Sequence, residues 1–229
     1  MRYDRRPIEV GKEDEMRSLR VTGAAALWLA LGPLAPAQAP PPKPAPPRPA
    51  AKPPAPAPEA PVEPGTTAVI ETEAGAITIK LLPDVAPKHV QHFVATAKKG
   101  GYDGTTFHRI IAGGIIQGGD PLSKDPAKSA QYGSGGLGLL KAEFSDAPFV
   151  RGTVAAARRP SSVDSGGSQF FICLADQPSL KGQYTIFGEV VEGMEVADKI
   201  GQTPVDGDKP KTRVEMKKIS IRPAQAVAP

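Results

Sequence analysis

The sequence contains a single cysteine, so the chain cannot form an internal disulfide. Cys173 lies in the apolar run FFICLA (residues 170–175), where we expect a small buried hydrophobe rather than a reactive thiol. A basic domain is also lacking. The net charge is +4, yet from Thr66 to Ile221 there are 18 lysines and arginines against 17 aspartates and glutamates, which leaves +1. No basic face is implied, so nucleic acid is not an expected partner.

A phosphate loop and a cluster of metal ligands are lacking as well. The segment GSGGLG (residues 133–138) has neither the Lys-Ser/Thr ending of a P-loop nor the strand-to-helix setting of a dinucleotide turn, and is interpreted as a surface loop. His89 and His92 are three residues apart on a predicted helix, but no acidic or cysteine ligand is placed to complete a metal site. Packed or solvated histidines are the favoured interpretation, and neither a metal nor a cofactor is expected.

The amino-terminal apolar run is short. Val21 to Leu31 is well below the about 20 residues that a membrane-spanning helix needs. It follows Met16, Arg17 and Arg20, and small residues come after it, which is typical of a secretion signal. We therefore expect residues 16–39 to be a signal peptide, with a short uncleaved membrane anchor as the alternative.

This interpretation implies a start of translation at Met16 and makes residues 1–15 an upstream extension. Cleavage is expected after Ala37 or Ala39, and Ala37 is favoured because cleavage after Ala39 would leave Pro40 at the new terminus. The mature protein would then be exported to the periplasm or another extracytoplasmic compartment.

Proline is concentrated in one segment, with 15 of the 27 prolines between Pro33 and Pro64. Such a stretch can neither propagate a helix nor contribute a sheet strand, so residues 40–65 are predicted to be a disordered, extended Pro/Ala-rich linker. Fully extended, it would reach on the order of 75 Å at about 3.1 Å per residue. A spacer is favoured over a ligand for SH3-type domains, because proline abundance alone specifies no partner.

Residues 66–222 have the patterns of a folded domain, followed by a tail (223–229) that is expected to be disordered. Two short apolar runs around Gly75 predict a hairpin, and a helical period over residues 86–99, with Pro87 in its first turn, predicts the first helix. A second helix is predicted over Met194–Ile200. The predicted strands are Val69–Thr72, Ile77–Leu82, Thr105–Ile111, Ile115–Gln117, Thr153–Ala157, Phe170–Leu174, Thr185–Val191 and Val214–Ile221. This mainly β pattern predicts a closed antiparallel barrel.

Two segments carry the functional signal, FHRIIAGGIIQGGD (residues 107–120) and SGGSQFFI (residues 165–172). They place an arginine and two glutamines beside aromatic and aliphatic residues, which suits an open groove that grips an extended peptide. Together with YTIFGEVVEGMEV (residues 184–196), they resemble the cyclophilin family of peptidyl-prolyl isomerases. The resemblance covers roughly residues 66–221 and implies the eight-stranded cyclophilin barrel with a helix capping each end.

The implied activity is cis-trans isomerisation of X-Pro bonds in unfolded or extended polypeptides. The barrier of about 20 kcal/mol is amide resonance, so a catalyst must favour the twisted amide, whose prolyl nitrogen accepts a hydrogen bond. A fixed cationic donor fits that lone pair. By resemblance Arg109 is this catalytic donor, and Gln117 helps to hold Arg109 and the substrate carbonyl.

The resemblance also implies a set of substrate-binding residues. Phe171 forms the wall of a proline socket, Ile115 and Leu180 add aliphatic surface, and Tyr184 offers a hydroxyl near the peptide. Three further positions are expected to contact the substrate, namely Arg158, Gln169 and Ala157. In contrast, Phe107, Phe170 and Phe187 are expected to be core residues.

Three positions depart from the family pattern. Gly114 stands where a pocket phenylalanine is usual, Ser179 stands where an aromatic residue is frequent, and Ala156 replaces a frequent methionine. Losing one ring over a proline costs about 1 to 3 kcal/mol of binding, so we expect a real isomerase activity that the trimmed socket can reduce, together with poor cyclosporin affinity. The alternative is a weakly active or inactive peptide-binding chaperone or scaffold. Nothing in the sequence suggests more than a monomer.

Overall fold

Ten β-strands lie within residues 61–223, the part of the chain that the computed structural model describes. Eight of them close into an antiparallel barrel, as predicted. In chain order the strands are β1 (Thr67–Thr72), β2 (Ala76–Leu81), β3 (Thr105–Ile111), β4 (Ile115–Gly118), β5 (Thr153–Ala156), β6 (Phe170–Cys173), β7 (Ile186–Glu192), β8 (Val205–Asp206), β9 (Lys209–Pro210) and β10 (Glu215–Arg222). The order around the barrel is β1-β10-β3-β4-β6-β5-β7-β2, and β8 pairs with β9 in a separate hairpin.

Strand alternation divides the side chains of the barrel between two hydrophobic clusters. On β6, Phe170 and Ile172 point inward and join the main core, whereas Phe171 and Cys173 point outward and join a second, smaller cluster. Cys173 is fully buried, as expected, and burial raises the pKa of its thiol to about 12. The outer face of this part of the barrel is therefore covered rather than solvated.

Two α-helices pack on the barrel, α1 (Pro87–Lys98) and α2 (Met194–Gly201), within one residue of the predicted bounds. The buried face of α1 includes Val90 and Phe93, which lie in the main core. Gly100 follows α1 with φ of 67°, a left-handed conformation that glycine adopts at no steric cost. The helix ends there, and the chain turns into β3.

A distant carboxylate holds the start of α1. The backbone N–H groups of Lys88 and His89 donate to Glu143, at 3.2 and 3.0 Å, which satisfies donors that a helix leaves unpaired at its first turn. The His89 ring is buried, and its Nδ1 lies 2.6 Å from Oε2 of Glu143. His89 is thus a packed histidine, one of the two interpretations favoured from the sequence.

Three 3-10 turns and the β8–β9 hairpin were not predicted. The turns span Pro121–Lys124, Pro126–Gln131 and Pro178–Leu180. Each begins with proline, whose fixed φ suits a turn as well as it suits a helix start. Runs of three to six residues are too short to produce a periodic apolar pattern, so sequence periodicity does not reveal them.

The predictions for the termini concern residues outside the described range. They are the upstream extension (1–15), the signal peptide (16–39), most of the linker (40–60 of 40–65) and most of the tail (224–229 of 223–229). Within residues 61–223, no helix has the length and apolar character required to cross a bilayer.

Candidate active site

A groove of about 950 Å³ runs over the outer face of β3, β4 and β6. Its edges are formed by the 3-10 turn at Pro126–Gln131, by the 3-10 turn at Pro178–Leu180 and by the β8–β9 hairpin. Arg109 on β3, Gln117 on β4 and Phe171 on β6 are cross-strand neighbours along its floor, because Arg109 pairs with Gln117 and Gln117 pairs with Phe171. One β-sheet face thus brings together residues 62 positions apart in the sequence.

A β-bulge on β3 turns Arg109 into this groove. Phe107 pairs with Gly118 and Arg109 pairs with Gln117, so His108 is the extra residue. Both Phe107 and Ile110 lie in the main core, a spacing of three that strict alternation does not allow. Because the bulge adds one residue between Phe107 and Ile110, both can face the core while two successive residues, His108 and Arg109, line the groove.

The guanidinium of Arg109 is held from two directions. Its Nε donates to Oδ2 of Asp208 at 2.7 Å, and its Nη1 donates to Oε1 of Gln117 at 3.3 Å. These bonds use two N–H groups of the five that arginine carries, which leaves donors on Nη1 and Nη2 for a bound group. The side chain is 42% exposed, so those donors are accessible from the groove.

The row of hydrogen bonds continues from Gln117 into a glycine loop. Gln117 Nε2 donates to Oε1 of Gln169 at 3.0 Å, and Gln169 Nε2 donates to the carbonyl oxygen of Gly135 at 2.6 Å. Gln169 is fully buried, so its amide orientation is fixed by these partners. Gly135 belongs to the segment interpreted from the sequence as a surface loop. This segment is a loop of partly exposed residues in the structure, and its backbone also supports Gln169 and, through it, Gln117.

Asp208 is held as firmly as its partner. It follows Gly207, whose φ is 63°, at the turn between β8 and β9, and its carbonyl oxygen accepts a hydrogen bond from the Ile110 N–H at 2.8 Å. The hydrogen bond from Arg109 lowers the pKa of the Asp208 carboxyl below its ordinary value of 3.8. The carboxylate is therefore ionised at neutral pH and keeps its attraction for the guanidinium.

His108 contributes a neutral polar group to the groove. Its ring is more than nine-tenths buried. Burial lowers the pKa of His108, so its imidazole adds no positive charge beside Arg109 at neutral pH.

An apolar socket lies beside Arg109. Phe171 stacks on Phe149 at 6.5 Å and meets Tyr184 edge-on at 5.3 Å between ring centroids. Ile115 and Leu180 pack in the same outer cluster. The socket is thus a rigid aromatic and aliphatic surface of the kind that accepts a pyrrolidine ring.

Arg158 covers one side of this socket instead of reaching across the groove. Its guanidinium lies 4.7 Å from the centroid of the Tyr184 ring, a cation-π contact. Its Nε donates to the carbonyl oxygen of Gln183 at 2.9 Å, and its Nη1 donates to that of Arg159 at 3.2 Å. A longer contact of Nη1 with the carbonyl oxygen of Pro160, at 3.5 Å, adds to these, so backbone oxygens and one ring hold the side chain.

Comparison with known proteins identifies the family. The model of the cyclophilin type peptidyl-prolyl cis-trans isomerase family matches residues 67–221. The chain belongs to the cyclophilin family. A probable peptidyl-prolyl cis-trans isomerase of Brucella suis is 43% identical over 143 residues, which are 60% of this chain and 72% of the relative. A peptidyl-prolyl cis-trans isomerase of Helicobacter pylori is 41% identical over 140 residues, 59% of this chain and 80% of that protein.

Solved cyclophilins have the same fold. A cyclophilin type isomerase of Cryptosporidium parvum, determined in the presence of the dipeptide Ala-Pro, is 31% identical. The similarity covers 68% of this chain and 98% of that one, with a TM-score of 0.62. Peptidyl-prolyl isomerase activity accordingly follows from membership of the family.

The structure brings eight of the nine predicted site residues to the cyclophilin groove. The lining includes Arg109, Gln117, Phe171, Ile115, Leu180, Tyr184, Arg158 and Ala157. Gln169 lies behind the lining and reaches the site through Gln117. Of the departures from the family pattern, Gly114 lines the groove, whereas Ser179 is exposed beside it and Ala156 faces the main core. The individual catalytic roles of these residues stay predictions.

Several groove residues are not predicted from the sequence, and Asp208, His108 and Ile111 are three that bear on the site. Asp208 is 99 positions from its partner Arg109, and His108 gives no signal beyond its place in the motif. Ile111 is 42% exposed, lines the groove and lies next to Gly114. An exposed isoleucine at a strand end gives no signal in the sequence, since isoleucine is expected inside.

Removing the Asp208 charge should loosen Arg109. For Asp208→Asn we expect kcat/KM on an Ala-Pro peptide to fall about three- to tenfold, because a charge-assisted bond of a half-exposed pair is replaced by a weaker neutral one. The matched control is Asp206→Asn on the same hairpin, which should stay within about twofold. Because the pKa of Asp208 is lowered, the contact is present at neutral pH and is lost only as the pH falls through that lowered value. Equal activity of the two variants would contradict a positioning role.

Proposed function

We propose that this cyclophilin accelerates X-Pro isomerisation in unfolded or extended polypeptides by donating a hydrogen bond from Arg109 to the prolyl nitrogen of the twisted amide. The single observation that supports this most is the guanidinium held by Asp208 and Gln117 in the groove lining, while N–H groups on Nη1 and Nη2 remain unused by these two bonds. The socket around Phe171 lies on the neighbouring strands. A proline ring seated there would bring its nitrogen toward Arg109.

The fixed donor favours the transition state over both planar forms. In a planar amide the nitrogen lone pair is delocalised and accepts no hydrogen bond, whereas in the twisted amide it is localised. A donor that already points at the nitrogen therefore interacts more strongly with the twisted state, and no reorganisation is needed when that state forms. Gln117, fixed by Gln169, is placed to orient both Arg109 and the substrate carbonyl.

Exchange spectroscopy on an Ala-Pro peptide tests the proposal. An isomerase increases the cis-trans exchange rate at substoichiometric concentration, while a peptide-binding chaperone shifts the peptide signals without faster exchange. Gly114 favours the second function, because it removes from the groove lining a ring that the family usually has, and Ser179 stands where the family often has an aromatic residue. Binding without accelerated exchange would refute the proposed catalysis and support the chaperone alternative.

Restoring the missing ring should strengthen the socket. A Cβ atom built on Gly114 lies 3.1 Å from Cγ2 of Ile111, and Ile111 is exposed enough to move by the few tenths of an ångström that are needed. We therefore expect Gly114→Phe to fold and to raise kcat/KM about three- to tenfold through added contact with the proline ring. Gly114→Ala, which adds the Cβ alone, is the control. An unchanged Gly114→Phe would show that the trimmed socket does not limit the reaction.

We also propose export as the setting of this activity. The support is the signal-like pattern from Met16, in which Arg17 and Arg20 precede the apolar run of residues 21–31. Amino-terminal sequencing of the protein from its native host tests it. A terminus that follows Ala37 or Ala39 in an extracytoplasmic fraction supports export, and a cytoplasmic full-length chain refutes it.

A further inference from the structure

The groove is more positively charged than the domain around it. Its lining carries a net charge of +3, because it contains one carboxylate, Asp208, and four cationic side chains, namely Arg109, Arg158, Lys209 and Arg213. Residues 66–221 as a whole carry only +1. His108 is neutral and does not change this balance. The positive charge is therefore concentrated where a peptide binds, and a charged cleft selects among ligands through complementarity.

Two of these cations already have carboxylate partners. Arg109 is paired with Asp208 at 2.7 Å, and Arg213 is paired with Glu215 at 3.0 Å. Arg213 is engaged further, since its Nη1 and Nη2 donate to backbone carbonyl oxygens. Neither pair offers an uncompensated charge to a ligand, so the excess of the groove resides on Arg158 and Lys209.

Arg158 presents its charge in a fixed orientation. Nε and Nη1 are bonded to backbone carbonyl oxygens, which do not neutralise a cation, and the Tyr184 ring supports the guanidinium from one face. Within residues 61–223 no carboxylate forms an ion pair with Arg158. Because the side chain is ordered before any ligand arrives, little conformational entropy is lost when an anionic group pairs with it.

Lys209 supplies the second charge on the β8–β9 hairpin. Asp206 lies across the hairpin from it, but no ion pair within 4.0 Å joins Lys209 to a residue of the described range. Arg158 lies on the β5 and β6 side of Arg109, while Lys209 lies on the hairpin that also carries Asp208. An extended peptide whose X-Pro bond is centred on Arg109 would therefore pass both cations, one with each flank.

We propose that the groove selects X-Pro sites flanked by acidic residues, with Arg158 and Lys209 as the specificity-determining residues. This inference rests on the proposed function, because it assumes that the X-Pro bond is seated at Arg109. The substrate class is an unfolded polypeptide with aspartate or glutamate near the proline. The two cations raise the association rate and the affinity of such a substrate and take no part in the rotation of the X-Pro bond itself.

The experiment uses peptides of one length centred on Ala-Pro that differ only in the flanking residue, which is Glu, Gln or Lys on one side or on both. We expect kcat/KM to decrease in the order Glu, Gln, Lys, by about two- to fivefold at each step at low salt, because Arg158 is half-buried and Lys209 is exposed. At about 1 M salt the order should largely disappear, because the screening length falls to about 3 Å. A Glu to Lys ratio of one or less at low salt would overturn the inference.

Variants assign the two determinants. Arg158→Gln should lower the Glu to Lys ratio for peptides charged on one flank, and Lys209→Gln should lower it for peptides charged on the other. The ratio is taken within each variant, so a general change in turnover cancels. Lys218→Gln on β10 makes the same change in net charge at an exposed position outside the groove lining and should leave the ratio unchanged. A loss of preference in Lys218→Gln as large as in the other two would overturn the assignment.

A binding measurement separates this inference from the proposed function. Dissociation constants of the same peptides, from the shifts of their signals, should follow the same order even if the protein does not accelerate exchange. Absent turnover with a retained order of affinities would refute catalysis while supporting the acidic preference. Turnover on the neutral peptide with no charge order would support catalysis and overturn the acidic preference.

Discussion

Replacing Arg109 with alanine is expected to lower kcat/KM for an Ala-Pro peptide by about 10²- to 10³-fold, the usual effect of removing one preorganised donor to a transition state. The loss is expected mainly in kcat, because the donor interacts with the twisted amide and only weakly with the planar substrate. A protease-coupled assay on a short Ala-Pro peptide, run beside the parent at equal concentration, gives the ratio.

Two controls separate catalysis from folding and from charge. Arg109 is half-exposed, so the free energy of unfolding of the alanine variant should lie within about 0.5 to 1 kcal/mol of that of the parent. The variant should also still shift the signals of a bound peptide. Arg109→Lys keeps the charge but lacks the fork of donors that contacts Asp208 and Gln117 together, and it should recover only a small part of the activity. An alanine variant as active as the parent would exclude the guanidinium mechanism.

The barrel itself was readable from the sequence. Alternation on the predicted strands and glycines at the turns indicate the element types. The observed bounds differ from the predicted ones by at most two residues, as for β1, which begins at Thr67 rather than Val69, and β3 has the predicted bounds. The local signal is strong because each strand has one face in a core. The bulge at His108 was not predictable in this way. It breaks the period of two, and only the pairing partners on β4 show which residue is the extra one.

The site was predictable where its residues lie in one motif and not where they come from loops. Arg109, Gln117 and Phe171 lie on strands that pair, so their proximity follows once the family motif is seen. Asp208 and Gly135 belong to a turn and a glycine loop, and their contacts depend on how distant segments pack against the barrel. No spacing rule connects residues 99 positions apart, so these supports of Arg109 and Gln117 required the structure.

Phe170 offers the largest expected effect on stability. Its ring is 1% exposed and lies among Phe93, Tyr102, Phe107 and Phe187, with ring centroids between 5.6 and 6.4 Å away. Phe170→Ala should lower the free energy of unfolding by about 3 to 5 kcal/mol, because a cavity replaces these contacts. For a domain of this size the thermal midpoint should fall by roughly 6 to 20 °C. Calorimetry or denaturant unfolding provides the measurement.

The next residue on the same strand is the matched control, since β6 alternation sends Phe170 into the core and Phe171 into the groove. Phe171→Ala also removes a buried ring and should cost stability, but it removes the socket wall as well, so kcat/KM per folded molecule should fall about tenfold or more. For Phe170→Ala, assayed well below its thermal midpoint, kcat/KM should stay within about threefold of that of the parent. The reason is that Phe170 takes no part in the hydrogen bonds that link Asp208, through Arg109 and Gln117, to Gln169. If the two variants lost kcat/KM equally, a change in the core would affect the groove as much as a change in the groove itself. The outward face of β6 would then not by itself form the proline site.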